Sequence, residues 1–195
     1  MNLLLASSSP YRRELLSRLH VPFDWQAPEV DELPLPGEKP EQLALRLSSS
    51  KAHALAEGYS EHLIIGSDQV ASCRGQSINK PGNYANAFKQ LQELSGQRVH
   101  FYTGLCVLDS SSGRSIANTV ATEVVFRSLS DGDIERYLKC EQPYDCAGSF
   151  KAEGLGIALF EAISSDDNTA IIGLPLIRLR QILEEFDYRV LEHLN

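Results

Sequence analysis

Four basic or acidic side chains sit where the local rules of their elements disfavour them, and each placement suits phosphate chemistry. Arg12 and Arg13 fall in the first turn of a helix that Ser9 and Pro10 start. Serine is a preferred N-cap and proline is favoured at the first helical position. Cations at this end oppose the helix dipole, and a capping box would want Glu or Gln at position 12. Both oddities make sense if an anion binds there. Backbone N–H groups, the Ser7 and Ser9 hydroxyls and two guanidiniums would then converge on phosphate oxygens. Taken alone, the pair reads as exposed arginines that tolerate a small penalty.

Lys51 is spaced by four from Leu47 and Leu55, so it lies along an apolar helix stripe. A snorkelling lysine and a lysine aimed at a phosphate both fit. Asp68 follows the buried-strand pattern His62 to Ser67. Open α/β sheets place ligands beyond strand ends, where an acid can bind a divalent metal or orient water. A turn aspartate is the simpler alternative. Lys80-Pro81 lies twelve residues on. Glu29, Asp31 and Glu32 form an acidic group in a Pro-rich loop, either solvated or ligating Mg²⁺, which prefers a few carboxylates plus substrate phosphates. His20, His53, His62, His100 and His193 lack metal-type spacing, and no Ser/His/Asp triad is legible.

The elements that must position these residues alternate. The pattern predicts a strand over Leu3–Ala6, the helix from Pro10, and a strand over Phe23–Gln26. A loop spans 27–40, and a long helix runs from Pro40 to Glu57 with Gly58 near its C-cap. A strand from His62 ends at Asp68. A short strand returns from the Arg74–Gln76 turn, and Asn83 caps a helix ending near Ser95-Gly96. Val99–Leu108 and Ser115–Arg127 form a hairpin. Ser130 with Asp133 opens a helix to about Lys139, and Pro175–Phe186 is helical. Helices between parallel strands plus a long hairpin predict an α/β fold with a mixed sheet.

Composition narrows the function classes. The chain has 195 residues, 43% of them apolar, and carries 18 basic against 26 acidic groups, a net charge of −8. Such a chain can close a core, and it is a poor candidate for bulk nucleic-acid or anionic-membrane binding. Cys73, Cys106, Cys140 and Cys146 form no CxxC pair and predict reduced thiols in a cytoplasmic protein. The apolar run at Met1–Ala6 is short for a signal peptide, and no segment reaches transmembrane length. Walker A, GxGxxG and HExxH patterns are absent.

Together the fragments resemble the Maf family of septum-formation-like nucleotide pyrophosphatases. The resemblance rests on Ser7-Ser8-Ser9-Pro10-Tyr11-Arg12-Arg13, Val30-Asp31-Glu32, Lys51-Ala52 and Gly66-Ser67-Asp68-Gln69-Val70. It continues through Lys80-Pro81, Tyr102-Thr103-Gly104, Asp145-Cys146-Ala147-Gly148-Ser149-Phe150, Glu153-Gly154 and Gly173-Leu174-Pro175-Leu176. It spans nearly the whole chain in order. It implies one domain over residues 1–195, with a two-lobed inosine triphosphatase-like fold and a central cleft. It implies cleavage of nucleoside triphosphates between the α and β phosphates with a divalent cation, Mg²⁺ or Mn²⁺. By position, Ser7, Arg12, Arg13, Lys51 and Lys80 would hold the triphosphate. Glu32 and Asp68 would bind metal, with Asp68 the base for water. A homodimer is also implied.

The chain departs from the commonest family pattern at Tyr11, Gln69 and Glu153, where arginine, threonine and glutamine are usual. These changes resemble the subgroup acting on 7-methyl-GTP. N7-methylguanine carries ring charge and should stack on Tyr11. A carboxylate at Glu153 can accept from the guanine N1–H and amine. Two further departures carry no role. Val99 stands where a histidine is common, with His100 facing the other way, and Cys146 replaces a lysine. The expectation is therefore a 7-methyl-GTP pyrophosphatase. The alternatives are an enzyme acting on dTTP, UTP or another non-canonical triphosphate, and a non-catalytic nucleotide-binding regulator of cell division.

Overall fold

The computed structural model describes residues 1–194. Seven strands form one mixed sheet. They are β1 (Asn2–Ala6), β2 (Phe23–Gln26), β3 (His62–Cys73), β4 (Gln76–Ile78), β5 (Arg98–Asp109), β6 (Ser115–Phe126) and β7 (Phe160–Ser165). The order is β2-β1-β3-β5-β6-β7, with β4 pairing on the far end of β3. Pairing is parallel across β2-β1-β3 and antiparallel beyond. The helices are α1 (Pro10–Ser17), α2 (Pro40–His53), α3 (Tyr84–Leu94), α4 (Asp131–Glu141) and α5 (Leu176–Glu184). Among the described residues no helix is long and apolar enough to cross a membrane.

Strand alternation divides the core. Leu3 and Leu5 of β1, Leu63 and Ile65 of β3 and Leu105 and Val107 of β5 pack against α1 and α5. On the opposite face Leu4, Ala6, Ile64 and Cys106 meet Ala52 and Leu55 at the end of α2. The second lobe closes separately, with Ala87 and Leu91 of α3, Ile134 and Leu138 of α4, and a cluster of phenylalanines on and beside the long hairpin. The cleft lies where the two clusters part.

Several predicted boundaries agree with the structure. Ser9 caps α1 and Pro10 is its first residue, Asn83 accepts from the Asn86 N–H, and Ser130 with Asp133 forms a capping box. Two expectations need correction, and one strand was not expected. The strand from His62 does not end at Asp68 but runs on to Cys73. Its parallel pairing with β1 stops at Gly66, while its antiparallel ladder with β5 continues from Leu63 to Cys73. The polar run Ser67-Asp68-Gln69 breaks the apolar pattern but not the backbone ladder. The long helix stops at His53, and a 3-10 turn takes Ala56–Gly58. Strand β7 is an edge strand with mostly exposed side chains, so it shows no apolar alternation.

Candidate active site

The site begins with how closely α2 lies on the sheet. A Cβ on Gly66 would overlap the Ser48 carbonyl oxygen and lie 2.8 Å from Ala52 N. A Cβ on Gly104, on the neighbouring strand, would overlap the Ala44 carbonyl oxygen. Ala44, Ser48 and Ala52 are spaced by four, so α2 sets a ridge of small residues on two glycines. Asp68 points to the same side of β3 as Gly66. Lys51 thereby faces Asp68, and its Nζ donates to Asp68 Oδ1 at 2.6 Å. The same Nζ lies 2.6 Å from Glu32 Oε1, brought in by the Pro-rich loop. Lys51 and Asp68 are buried, whereas Glu32 is largely exposed. The Lys51 hydrogen bond and charge, with the charges of Lys80 and Arg12, outweigh the desolvation that would raise the Glu32 pKa, and its net shift is downward.

Ser67 and Gln69 point to the other face, onto the 3-10 turn Ala170–Ile172. Ser67 Oγ donates to Gly104 O and Gly173 O, at 2.8 and 2.9 Å. Arg12 Nε donates to the same Gly173 carbonyl at 2.8 Å. Gln69 Nε2 reaches Ala170 O, Ile171 O and Thr103 Oγ1. Buried Asp167 stabilises this turn region by accepting from Thr169, Ile177 and Arg178 N–H groups. The chain around Asp68 thus grips a helix on one face and a turn on the other. Burial lowers the Arg12 pKa, and Asp68 and Glu32 act against this. Arginine still carries its charge.

Between the turn and the second lobe opens a cavity of about 700 Å³ counting its mouth. It brings Tyr11, Arg12, Gln69, Lys80 and Glu153 to one wall system, so all three residues read as base-specific meet there. Ser7, Arg13, Glu32, Lys51 and Asp68 do not line it. Ser7 is buried at the start of the α1 loop and accepts from the Ser9 N–H. Arg13 stacks on the exposed Trp25 ring, 4.0 Å from its centroid, so the two neighbouring arginines have different partners. Glu32, Lys51 and Asp68 form their cluster beside Arg12, the electrostatic link between cluster and cavity. Asp145, Lys151, Phe101, Phe150 and Ile171 also line the cavity. Sequence reasoning gave none of them a role. Only the Gly-rich run around Asp145 was a signal for any of these.

Carboxylates gather at the Tyr11 end. Burial first, then Cys146, Asp145 and Glu153, push the Tyr11 phenol upward, so it stays neutral. The Cys146 thiol is pushed up to about 12, mainly by burial and then by Asp145. A thiol so held is a poor nucleophile. Iodoacetamide at pH 8 is therefore expected to modify exposed Cys140 well before Cys146. Peptide mapping by mass spectrometry checks the order, and faster labelling of Cys146 would contradict it.

No cluster of three or more His, Cys, Asp or Glu side chains suited to a metal exists among the described residues. Glu32 and Asp68, drawn to one ammonium, are a two-carboxylate set. That set fits a cation shared with substrate phosphates and not an all-protein cage.

The chain is similar to proteins most of whose length it covers. It is 56% identical over 192 residues to a 7-methyl-GTP pyrophosphatase of Paraburkholderia xenovorans (strain LB400), covering 97% of this chain and 94% of that one. It is 54% identical over 181 residues to a 7-methyl-GTP pyrophosphatase of Pseudomonas putida (strain KT2440), covering 93% and 94%. The Staphylococcus aureus Ham1 protein superposes with a TM-score of 0.53 at 14% identity, covering 96% of this chain and 100% of that one, a likeness of fold. The model of the Maf-like protein family matches residues 2–186, which takes in both lobes and every side chain of the cleft named above. On that match and on these identities, the chain belongs to the Maf-like protein family.

Proposed function

We propose that this protein hydrolyses 7-methyl-GTP to 7-methyl-GMP and pyrophosphate. One observation carries the reading: the charges of the cleft are sorted. Asp145 and Glu153 act on Tyr11, while Arg12 and Lys80 act on Glu32. A nucleotide with a cationic ring and a polyanionic tail matches that sorting. Lys151 also lines this end, one cation against the two acids Asp145 and Glu153, and a neutral guanine would add no charge to balance the second. The names of the relatives agree with the reading.

Water supplies the oxygen that attacks the α phosphorus, and the bond from that phosphorus to the α–β bridging oxygen breaks. Asp68 takes the water proton, and pyrophosphate leaves. Arg12 and Lys80 neutralise the phosphates, and Lys51 fixes the Asp68 and Glu32 carboxylates. Mg²⁺ or Mn²⁺ held by Glu32 and Asp68 would neutralise phosphate charge and lower the pKa of a bound water. Most of the catalysis is positioning and charge stabilisation.

The test is pyrophosphate release with Mg²⁺ or Mn²⁺ across 7-methyl-GTP, GTP, dTTP, UTP and ITP. Turnover centred on 7-methyl-GTP is expected. Preference for dTTP or UTP would discard the base-recognition argument, and binding without turnover would discard the enzyme. Combining Glu153→Gln, Gln69→Thr and Tyr11→Arg is expected to lower 7-methyl-GTP preference by about tenfold or more. Hydrogen bonds to a charged group contribute about 1.5–3 kcal/mol. Gln69→Thr also removes donors to the Ala170 and Ile171 carbonyls. A modest fall in Tm should therefore accompany the switch, and unchanged selectivity would sink the assignment.

A further inference from the structure

The loop joining β2 to α2 delivers Glu32 to Lys51, yet it has no helix or strand from Ala27 to Lys39. It is not held by apolar burial. Leu33 and Leu35, which precede the Pro36-Gly37 turn, are 72% and 56% exposed. What grips it is one guanidinium on α2. Arg46 Nε donates to Glu38 Oε1 at 2.7 Å, and Nη2 donates to Glu38 Oε2 at 2.8 Å. Nη2 also donates to the Leu33 carbonyl at 3.0 Å. That carbonyl belongs to the residue directly after Glu32. Glu38 is nearly covered, its side chain 8% exposed, and it accepts a further bond from the Leu35 N–H. The fork-on-fork geometry is the strong form of an ion pair, and a lysine could not reproduce it. The Arg46 bonds and the Leu35 N–H hold the Glu38 carboxyl down at about 2, so the pair stays charged through the neutral range.

We propose that Arg46 is the positioning residue for Glu32. By gripping the Leu33 carbonyl and the Glu38 carboxylate at once, it holds a loop that buries little, so that the Glu32 carboxylate meets Lys51 and Asp68. This role rests on the pyrophosphatase reading above. Arg46 lies five residues before Lys51 on the same helix, so α2 carries both the lysine and the clamp that brings Glu32 to it. Because the loop adds little to either core, loosening it should leave the fold standing and misplace one carboxylate.

The test uses the full chain with 7-methyl-GTP and saturating Mg²⁺, comparing wild type, Arg46→Gln, Arg46→Lys, Glu38→Gln, Glu32→Gln and the Arg46→Gln/Glu32→Gln double variant. Arg46→Gln should lower kcat by about tenfold to a hundredfold, the scale of a misplaced catalytic group, with KM within about threefold. Arg46→Lys should recover little, and Glu38→Gln should fall between it and wild type. In the Glu32→Gln background Arg46→Gln should cause no further loss, since the group it positions is already gone. Amide exchange should speed up over residues 31–38 in Arg46→Gln and stay unchanged in β1, β3 and β5. Full activity of Arg46→Gln beside an impaired Glu32→Gln would overturn the proposal, as would losses that multiply in the double variant. A wild type that releases no pyrophosphate would refute the pyrophosphatase reading by itself. The clamp would then be judged on exchange, where unchanged rates over 31–38 in Arg46→Gln would overturn it.

Discussion

Asp68→Asn is expected to lower kcat by two decades or more while the protein stays folded and still binds its substrate. General-base catalysis contributes about 10²–10⁴-fold, and an amide cannot take a proton from water. The same substitution is mild for the fold. Asparagine keeps the shape of aspartate, and its amide oxygen can still accept from Lys51 Nζ. The ammonium also keeps its second partner, Glu32 Oε1, at 2.6 Å, so no buried cation is left unpaired. Arg12 and Lys80 are untouched, and one negative charge near the triphosphate is removed. Asp68 is also one of the two carboxylates that would hold the cation, so the comparison is made at saturating Mg²⁺, where KM should stay close to that of wild type. This split between kcat and KM separates a base from a structural acid. Glu32→Gln is the necessary comparison. If it costs more than Asp68→Asn, the exposed carboxylate of the loop and not the buried one on β3 is the base. If Asp68→Asn retains full kcat, the base assignment fails. A collapse of Tm would mean that Asp68 acts chiefly on stability.

The parts of the cleft that could be read from the sequence are those fixed by local periodicity. Lys51 shares a helix stripe with Leu47, both buried on the sheet side of α2, and Leu55 is buried just beyond the helix end. Ser9 and Pro10 place the start of α1 because capping is decided within four residues. The illegible parts depend on distant partners. Arg12 and Arg13 are neighbours in sequence, but one reaches Gly173 and the other stacks on Trp25, and only the packing of α1 on β2 and the turn decides this. Gln69 donates to carbonyls about a hundred residues away. Spacing does not separate Glu29, Asp31 and Glu32 as metal ligands, the family resemblance points to Glu32, and neither shows that this acid meets Lys51. The loop course, gripped by Arg46, selects Glu32. The continuation of β3 past Asp68 was hidden because its ladder partner is β5 while its apolar face is interrupted.

Gly66→Ala should test whether this geometry depends on the closeness of α2. The added methyl would overlap the Ser48 carbonyl oxygen, with Ala52 N at 2.8 Å and Ala52 Cβ at 3.1 Å. Two of these atoms belong to the helix backbone, so no side-chain rotation relieves the clash. The helix must move away from β3, and Lys51, one turn along, moves with it. Interior overpacking costs about 1–3 kcal/mol, and backbone contacts put this case at the upper end. For a chain of this length about 3 kcal/mol corresponds to a fall in Tm of about 6–12 °C. Activity should drop further than stability alone explains. The Lys51 Nζ to Asp68 contact of 2.6 Å has little slack, and a displacement of about 1 Å in a catalytic group can cost about a hundredfold in rate. Gly58→Ala is the control, since a Cβ there meets nothing within 4 Å and the residue lies just beyond α2. It should leave Tm and kcat unchanged. Gly104→Ala, which presses on Ala44 at the other end of the same ridge, should reproduce the loss of stability with a smaller loss of rate, because Lys51 is two turns away. Thermal melts and initial rates on the three variants decide the matter. A Gly66→Ala protein that melts and turns over like wild type would show that the helix can yield without disturbing Lys51, and that the glycine is not what sets the distance between the lysine and Asp68.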